Sequence, residues 1–70
     1  MKLVSIYYKE ENNSRARAEV IREDRDGGYS IHYYHATGDL FKTESYEGKS
    51  LQYVEDAAEN WTLGIKVLNG

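Results

Sequence analysis

The chain has no cysteine and no proline, and only one methionine, one tryptophan and one phenylalanine among its 70 residues. Without cysteine there is no disulfide and no thiolate metal site, and the absence fits a reducing compartment. Without proline, glycine and Asn/Asp clusters carry the punctuation; Gly27-Gly28, Gly38, Gly48, Gly64 and Gly70 divide the sequence. Long apolar runs are missing as well. The N-terminal MKLVSIYYKEENN holds an apolar run of about five residues, short of the roughly 7–15 of a signal-peptide core, and no small-residue cleavage site follows it. No stretch approaches the roughly 20 apolar residues of a membrane span. These absences lead to the expectation of a soluble, cytoplasmic protein with no membrane partner.

Basic charge is also in the minority. Nine Lys and Arg stand against twelve Asp and Glu, for a formal net charge of −3. That balance favours solubility and argues against strong nonspecific nucleic-acid binding, for which the domain would usually be basic. With 30% charged and 40% hydrophobic residues the composition is that of an ordinary globular protein rather than a disordered one. The length allows a single domain, residues 1–70. A chain this short buries only about 60% of its unfolded surface. With no disulfide to help, compact packing or self-association has to supply the stability.

Tyrosine is what the chain has in abundance, seven of its nine aromatic residues. They sit mostly in segments of period-two alternation. Leu3 to Lys9 reads as a first strand, with Val4, Ile6 and Tyr8 on one face and Leu3, Ser5 and Tyr7 on the other. After the polar turn Glu10-Glu11-Asn12-Asn13, Ser14 to Glu23 alternates Ala16, Ala18 and Val20 against Arg15, Arg17 and Glu19. Asp24-Arg25-Asp26-Gly27-Gly28 is a hairpin loop of residues that tolerate positive φ. Tyr29 to Ala36 is the third strand, Thr37-Gly38-Asp39 a tight turn, and Leu40 to Tyr46 the fourth strand. The period then changes. Leu51, Val54, Ala58 and Trp61 form a helical stripe, with Ser50 as N-cap and Gly64 at the left-handed position beyond the end. Ile65 to Leu68 completes the pattern as a short fifth strand.

The expected fold is α+β: a mostly antiparallel five-stranded sheet in the order β-β-β-β-α-β, with one helix packed on one face. The fifth strand is placed antiparallel to the first, with pairing parallel to the fourth as the other option. Ala16 and Ala18 are expected to face Ala57 and Ala58 of the helix, letting the two backbones approach closely.

A single helix leaves one sheet face open. The alternation assigns to it Ser5, Tyr7, Arg15, Arg17, Glu19, His32 and Tyr34, together with Lys42, Glu44 and Tyr46. Tyr7, Arg15, Arg17, His32, Tyr34 and Tyr46 are therefore the candidate partner-binding residues, since tyrosine and arginine are enriched at interface hot spots. The same pattern also serves to pair and stabilise strands on a half-solvated sheet.

Catalytic and metal readings find little support. His32 and His35 are three residues apart, which on a strand sends them to opposite faces. The Glu23–Gly28 segment lacks the ligand spacing of a calcium loop. No G-x-S-x-G accompanies the Ser, His and Asp residues. Gly27-Gly28 joins two strands rather than a strand and a helix, so it is no phosphate loop. No cofactor is expected and no enzyme. The reading that results is an interaction module whose partner is a protein, in the first place a second copy of itself, through the open face or an edge strand such as Leu40 to Tyr46. The alternative is a single-stranded nucleic-acid binder that stacks bases on exposed tyrosines, with arginines on the phosphates.

Overall fold

A computed structural model of the chain describes residues 1–9, 15–23 and 27–68. Four strands, β1 (Lys2–Tyr8), β2 (Arg17–Arg22), β3 (Tyr29–Tyr34) and β4 (Leu40–Tyr46), are followed by one helix, α1 (Leu51–Thr62). The strands form one antiparallel sheet in the order β1-β2-β3-β4, and α1 lies across one of its faces. The expected α+β class and the sequence of four strands and a helix are present. The polar turn at 10–13 and the calcium-like stretch at 24–26 lie outside the described residues.

Local chemistry explains the element ends. The Ser50 hydroxyl accepts the Tyr53 N–H at 3.2 Å, capping a helix end whose first N–H groups lack intrahelical partners. At the other end Gly64 takes φ +80°, a conformation that favours glycine, and its N–H donates to the Trp61 carbonyl at 3.1 Å. Gly38, at φ +96°, turns the β3–β4 hairpin, where the His35 N–H donates to the Asp39 carbonyl at 2.8 Å.

The core lies between α1 and the covered face. Ala18, Val20, Ile31, Tyr33, Val54 and Ala58 are fully buried, with Ala16 and Trp61 nearly so. The small Ala16, Ala18 and Ala58 side chains leave room for the large ones beside them. The Tyr33 ring meets the Trp61 indole edge-on, with centroids 5.0 Å apart. Ala57 packs against this core from a half-buried position.

Three expectations are corrected. First, Ile65 to Leu68 forms no fifth strand. The N–H groups of Ile65 and Lys66 both donate to the Asn60 carbonyl, at 2.9 and 3.1 Å, so the chain closes the helix end instead of pairing with β1. Lys66 then reaches over the sheet to Glu44 and Tyr46.

Second, the two faces of β1 are exchanged. Leu3 pairs with Ile21 but Ser5 with Val20, so Val4 is an extra residue, a β-bulge. Tyr7 stands opposite Ala18 and packs against the core, while Ile6 and Tyr8 fall opposite Glu19 and Arg17 on the open face. The helix flank above β1 is acidic, and Ser5 answers it by donating its hydroxyl to the Glu55 carboxylate. An isoleucine there would leave that carboxylate without this partner.

Third, the bulge at Phe41 sets Lys42, Glu44 and Tyr46 opposite Tyr33, Ile31 and Tyr29, on the helix side. Tyr46 packs against the core and its ring lies 6.1 Å from that of Tyr53. Tyr7 and Tyr46 therefore leave the open-face set.

Candidate functional site

Register and alternation define the open face as three cross-strand rows. One runs Tyr8, Arg17, Tyr34, Leu40; the next Ile6, Glu19, His32, Thr43; the third Leu3, Ile21, Ser30, Ser45. A second bulge shapes the first row: Tyr33 pairs with Lys42 but Tyr34 with Leu40, so Phe41 is extra. Its ring turns into the core beside Tyr33 and Trp61, and Leu40 is left on the open face.

Arg17 is the centre of this surface. Its guanidinium carbon sits 3.9 Å from the Tyr34 ring centroid, and its Nε donates to Glu19 Oε2 at 2.7 Å. A longer bond of 3.5 Å runs from Nη1 to the Arg15 carbonyl. The Glu19 hydrogen bond holds the Arg17 cation even more firmly in its charged form. Around this internally neutralised pair, Leu3 is 48% exposed, Ile6 37%, Tyr8 59% and Leu40 52%. The third row is closed only at its middle, with Leu3 and Ser45 exposed at its ends. Ile21 and Ser30 are buried, and the Ser30 hydroxyl donates to Glu23 Oε1 at 2.9 Å.

Of the six residues picked out from the sequence, the fold thus brings Arg17, His32 and Tyr34 together on the open face. Arg15 is exposed just before β2, near Gly38. Ile6, Tyr8 and Leu40 also belong to the surface, and alternation alone does not place them there because the bulges at Val4 and Phe41 lie between the pattern and the faces. The signal that identifies Ile6 and Tyr8 is the pairing of β1 with the Ala16/Ala18/Val20 stripe, which requires a register and is invisible in a single strand.

Two further features complete the surface chemistry. On the helix side, Glu44 Oε1 accepts from the Tyr33 hydroxyl at 2.6 Å, the Tyr46 hydroxyl at 2.8 Å and Lys66 Nζ at 2.9 Å. Lys66 Nζ also donates to the Tyr46 hydroxyl at 2.7 Å. At the end of the sheet lies a groove of about 420 Å³ with Lys9, His35, Phe41, Trp61 and Lys66 among its lining residues. Its aromatic surfaces are already engaged: Lys9 Nζ sits 4.4 Å from the Trp61 ring centre, and His35 stacks on Phe41 at 4.1 Å. No carboxylate, serine or cysteine lines it among the described residues. His32 points from the open face while His35 joins this groove, so the two imidazoles do not converge. No described helix is long and apolar enough to cross a membrane. Comparison of the chain with protein-family models, with curated proteins and with solved structures finds no match.

Proposed function

We propose that this protein is a non-enzymatic interaction module that associates with a second copy of itself, through the sheet face left open by its helix or the strand edge bounding that face. One observation carries this reading. Leu3, Ile6, Tyr8 and Leu40 are exposed apolar side chains on one uncovered face, around an Arg17–Glu19 pair that already satisfies its own charges. Such a surface gains by covering the apolar area, and the Arg17–Glu19 contact offsets part of the desolvation cost of covering those two charges. A free cationic site for an anionic ligand would instead leave its arginine unpaired.

The nucleic-acid alternative draws less from the geometry. Tyr7 and Tyr46 belong to the helix side. Of the two tyrosines on the open face, Tyr34 has one ring face carrying Arg17, which leaves Tyr8 as the exposed ring for stacking. Light scattering over a dilution series tests self-association directly. A mass that rises from monomer to dimer with concentration supports it, and a monomer throughout sinks it. In the same series, mixed single-stranded oligonucleotides at low salt should leave the mass unchanged.

A further inference from the structure

The uncovered margin of the sheet is more specific than an apolar patch. In an antiparallel pair, the backbone groups of successive residues point alternately toward and away from the partner strand. The Lys9 N–H donates to the Ala16 carbonyl at 3.0 Å, so Lys9, Tyr7 and Ser5 direct their backbone groups at β2. Those of Ile6 and Tyr8 point outward, where the sheet order places no strand among the described residues.

Edge strands are normally guarded by charge, proline or bulges that discourage pairing. The two edges of this sheet differ in that respect. β4 carries Lys42 and Glu44 within the strand, and Lys66 folds back over it. β1 has no charged residue between Lys2 and Lys9, and its bulge at Val4 leaves Ser5 to Lys9 as an uninterrupted run.

We infer that two copies pair antiparallel through β1 about a two-fold axis at Tyr7, joining their sheets into one of eight strands. This inference rests on the self-association reading and takes its edge-strand form, in which the Ile6 and Tyr8 side chains of the two copies cover one another and the β4 side of the open face stays uncovered. In that register Ile6 exchanges both backbone hydrogen bonds with Tyr8 of the second copy, and Tyr8 with its Ile6. The same pairing sets an isoleucine side chain against a tyrosine on the open face, a favourable cross-strand combination. On the helix side, Lys9 of each copy, whose Nζ rests over its own Trp61 ring in the single chain, stands opposite Ser5 of the other, whose hydroxyl holds the Glu55 carboxylate. A cation thus arrives beside an anion twice over, as two-fold symmetry requires of a self-complementary surface. Pairing over five residues buries less than the roughly 1,200 Å² at the lower limit of stable interfaces, so the dimer is weak and depends on concentration. β1 rather than β4 is the edge that meets its twin.

Amide hydrogen exchange of the full chain, measured by NMR at dilute and at associating concentrations, reads the edge directly. The Ile6 and Tyr8 amides are expected to exchange about tenfold more slowly once dimer predominates. Lys9→Glu sets like charges together and should weaken the dimer several-fold. Leu63→Lys, at the exposed end of α1 and outside the open face, should leave it unchanged, while Leu40→Lys, on the open face but away from β1, separates edge pairing from face-to-face packing. Rates at Ile6 and Tyr8 that match the dilute protein while a dimer is present overturn the edge assignment but leave self-association standing. A dimer that dissolves in Leu40→Lys and tolerates Lys9→Glu does the same, in favour of face-to-face packing. A chain that stays monomeric overturns both.

Discussion

Tyr33, fully buried at the centre of the sheet, donates its hydroxyl to Glu44 on the neighbouring strand at 2.6 Å. A buried phenol without an acceptor would carry a desolvation cost. Here the acceptor is a carboxylate that also collects Tyr46 and Lys66, so one glutamate ties the core to the segment following the helix. Burial pushes the Tyr33 phenol far above its ordinary value, and the bond to Glu44 pushes it further.

Replacing Tyr33 by Phe therefore removes a charge-assisted hydrogen bond while keeping the ring. It should destabilise the fold by about 1–3 kcal/mol. Urea denaturation of the wild type and the variant measures the difference. An unchanged midpoint would mean that the hydroxyl is as well solvated in the unfolded chain as it is bonded here.

The same carboxylate predicts a pH dependence. Burial raises the Glu44 pKa, but hydrogen bonds from Tyr33, Lys66 and Tyr46 outweigh it and bring the group below its ordinary 4.5. A folded pKa below the unfolded one contributes stability that is present above the unfolded value and lost as pH falls through the folded value. Lys66 runs the other way. Burial lowers its pKa, its bonds to Tyr46 and Glu44 raise it, and the net position lies above 10.5. Its contribution is present below 10.5 and lost as pH rises through the folded value. Denaturation of wild type and Glu44→Gln across the acid range should show a stability gap at neutral pH that closes as the carboxyl is protonated. A gap independent of pH would contradict the account.

Close approach of helix and sheet through small side chains predicts a third result. Ala58 is fully buried in α1, in one core with Ala16 and Ala18 of the sheet. Ala58→Leu adds volume where none is available and should cost about 1–3 kcal/mol. Thermal unfolding followed by circular dichroism checks it, with Ala57→Leu at the half-buried neighbouring position as the milder control.

The physical reasons for what the sequence revealed are local. Ser50, the Leu51/Val54/Ala58/Trp61 stripe and Gly64 mark the helix because caps and period act within a few residues. β4 is bounded by turn residues on both sides and runs from Leu40 to Tyr46 as expected, but the bulge at Phe41 exchanges its faces just as the bulge at Val4 exchanges those of β1. The face of β1 was not legible, since Val4, Ile6 and Tyr8 read as the more apolar side and only the bulge at Val4 turns Tyr7 inward. Ile65 to Leu68 has the composition of a strand, yet the Asn60 carbonyl at the helix end claims its first two N–H groups, and Glu44, distant in sequence, claims the Lys66 ammonium. As a result, half of the candidate site (Arg17, His32 and Tyr34) could be read from alternation on β2 and β3, where no bulge separates the two strands. The rest depends on register.

Sedimentation equilibrium of the wild-type chain and of Ile6→Lys, from micromolar to millimolar concentration, tests the central claim most directly. Ile6 is 37% exposed and outside the core cluster, so the variant should retain the fold. The account predicts a monomer–dimer equilibrium for the wild type and a monomer for Ile6→Lys over the same range. A wild-type chain that remains monomeric, or a dimer indifferent to lysine at position 6, would contradict it.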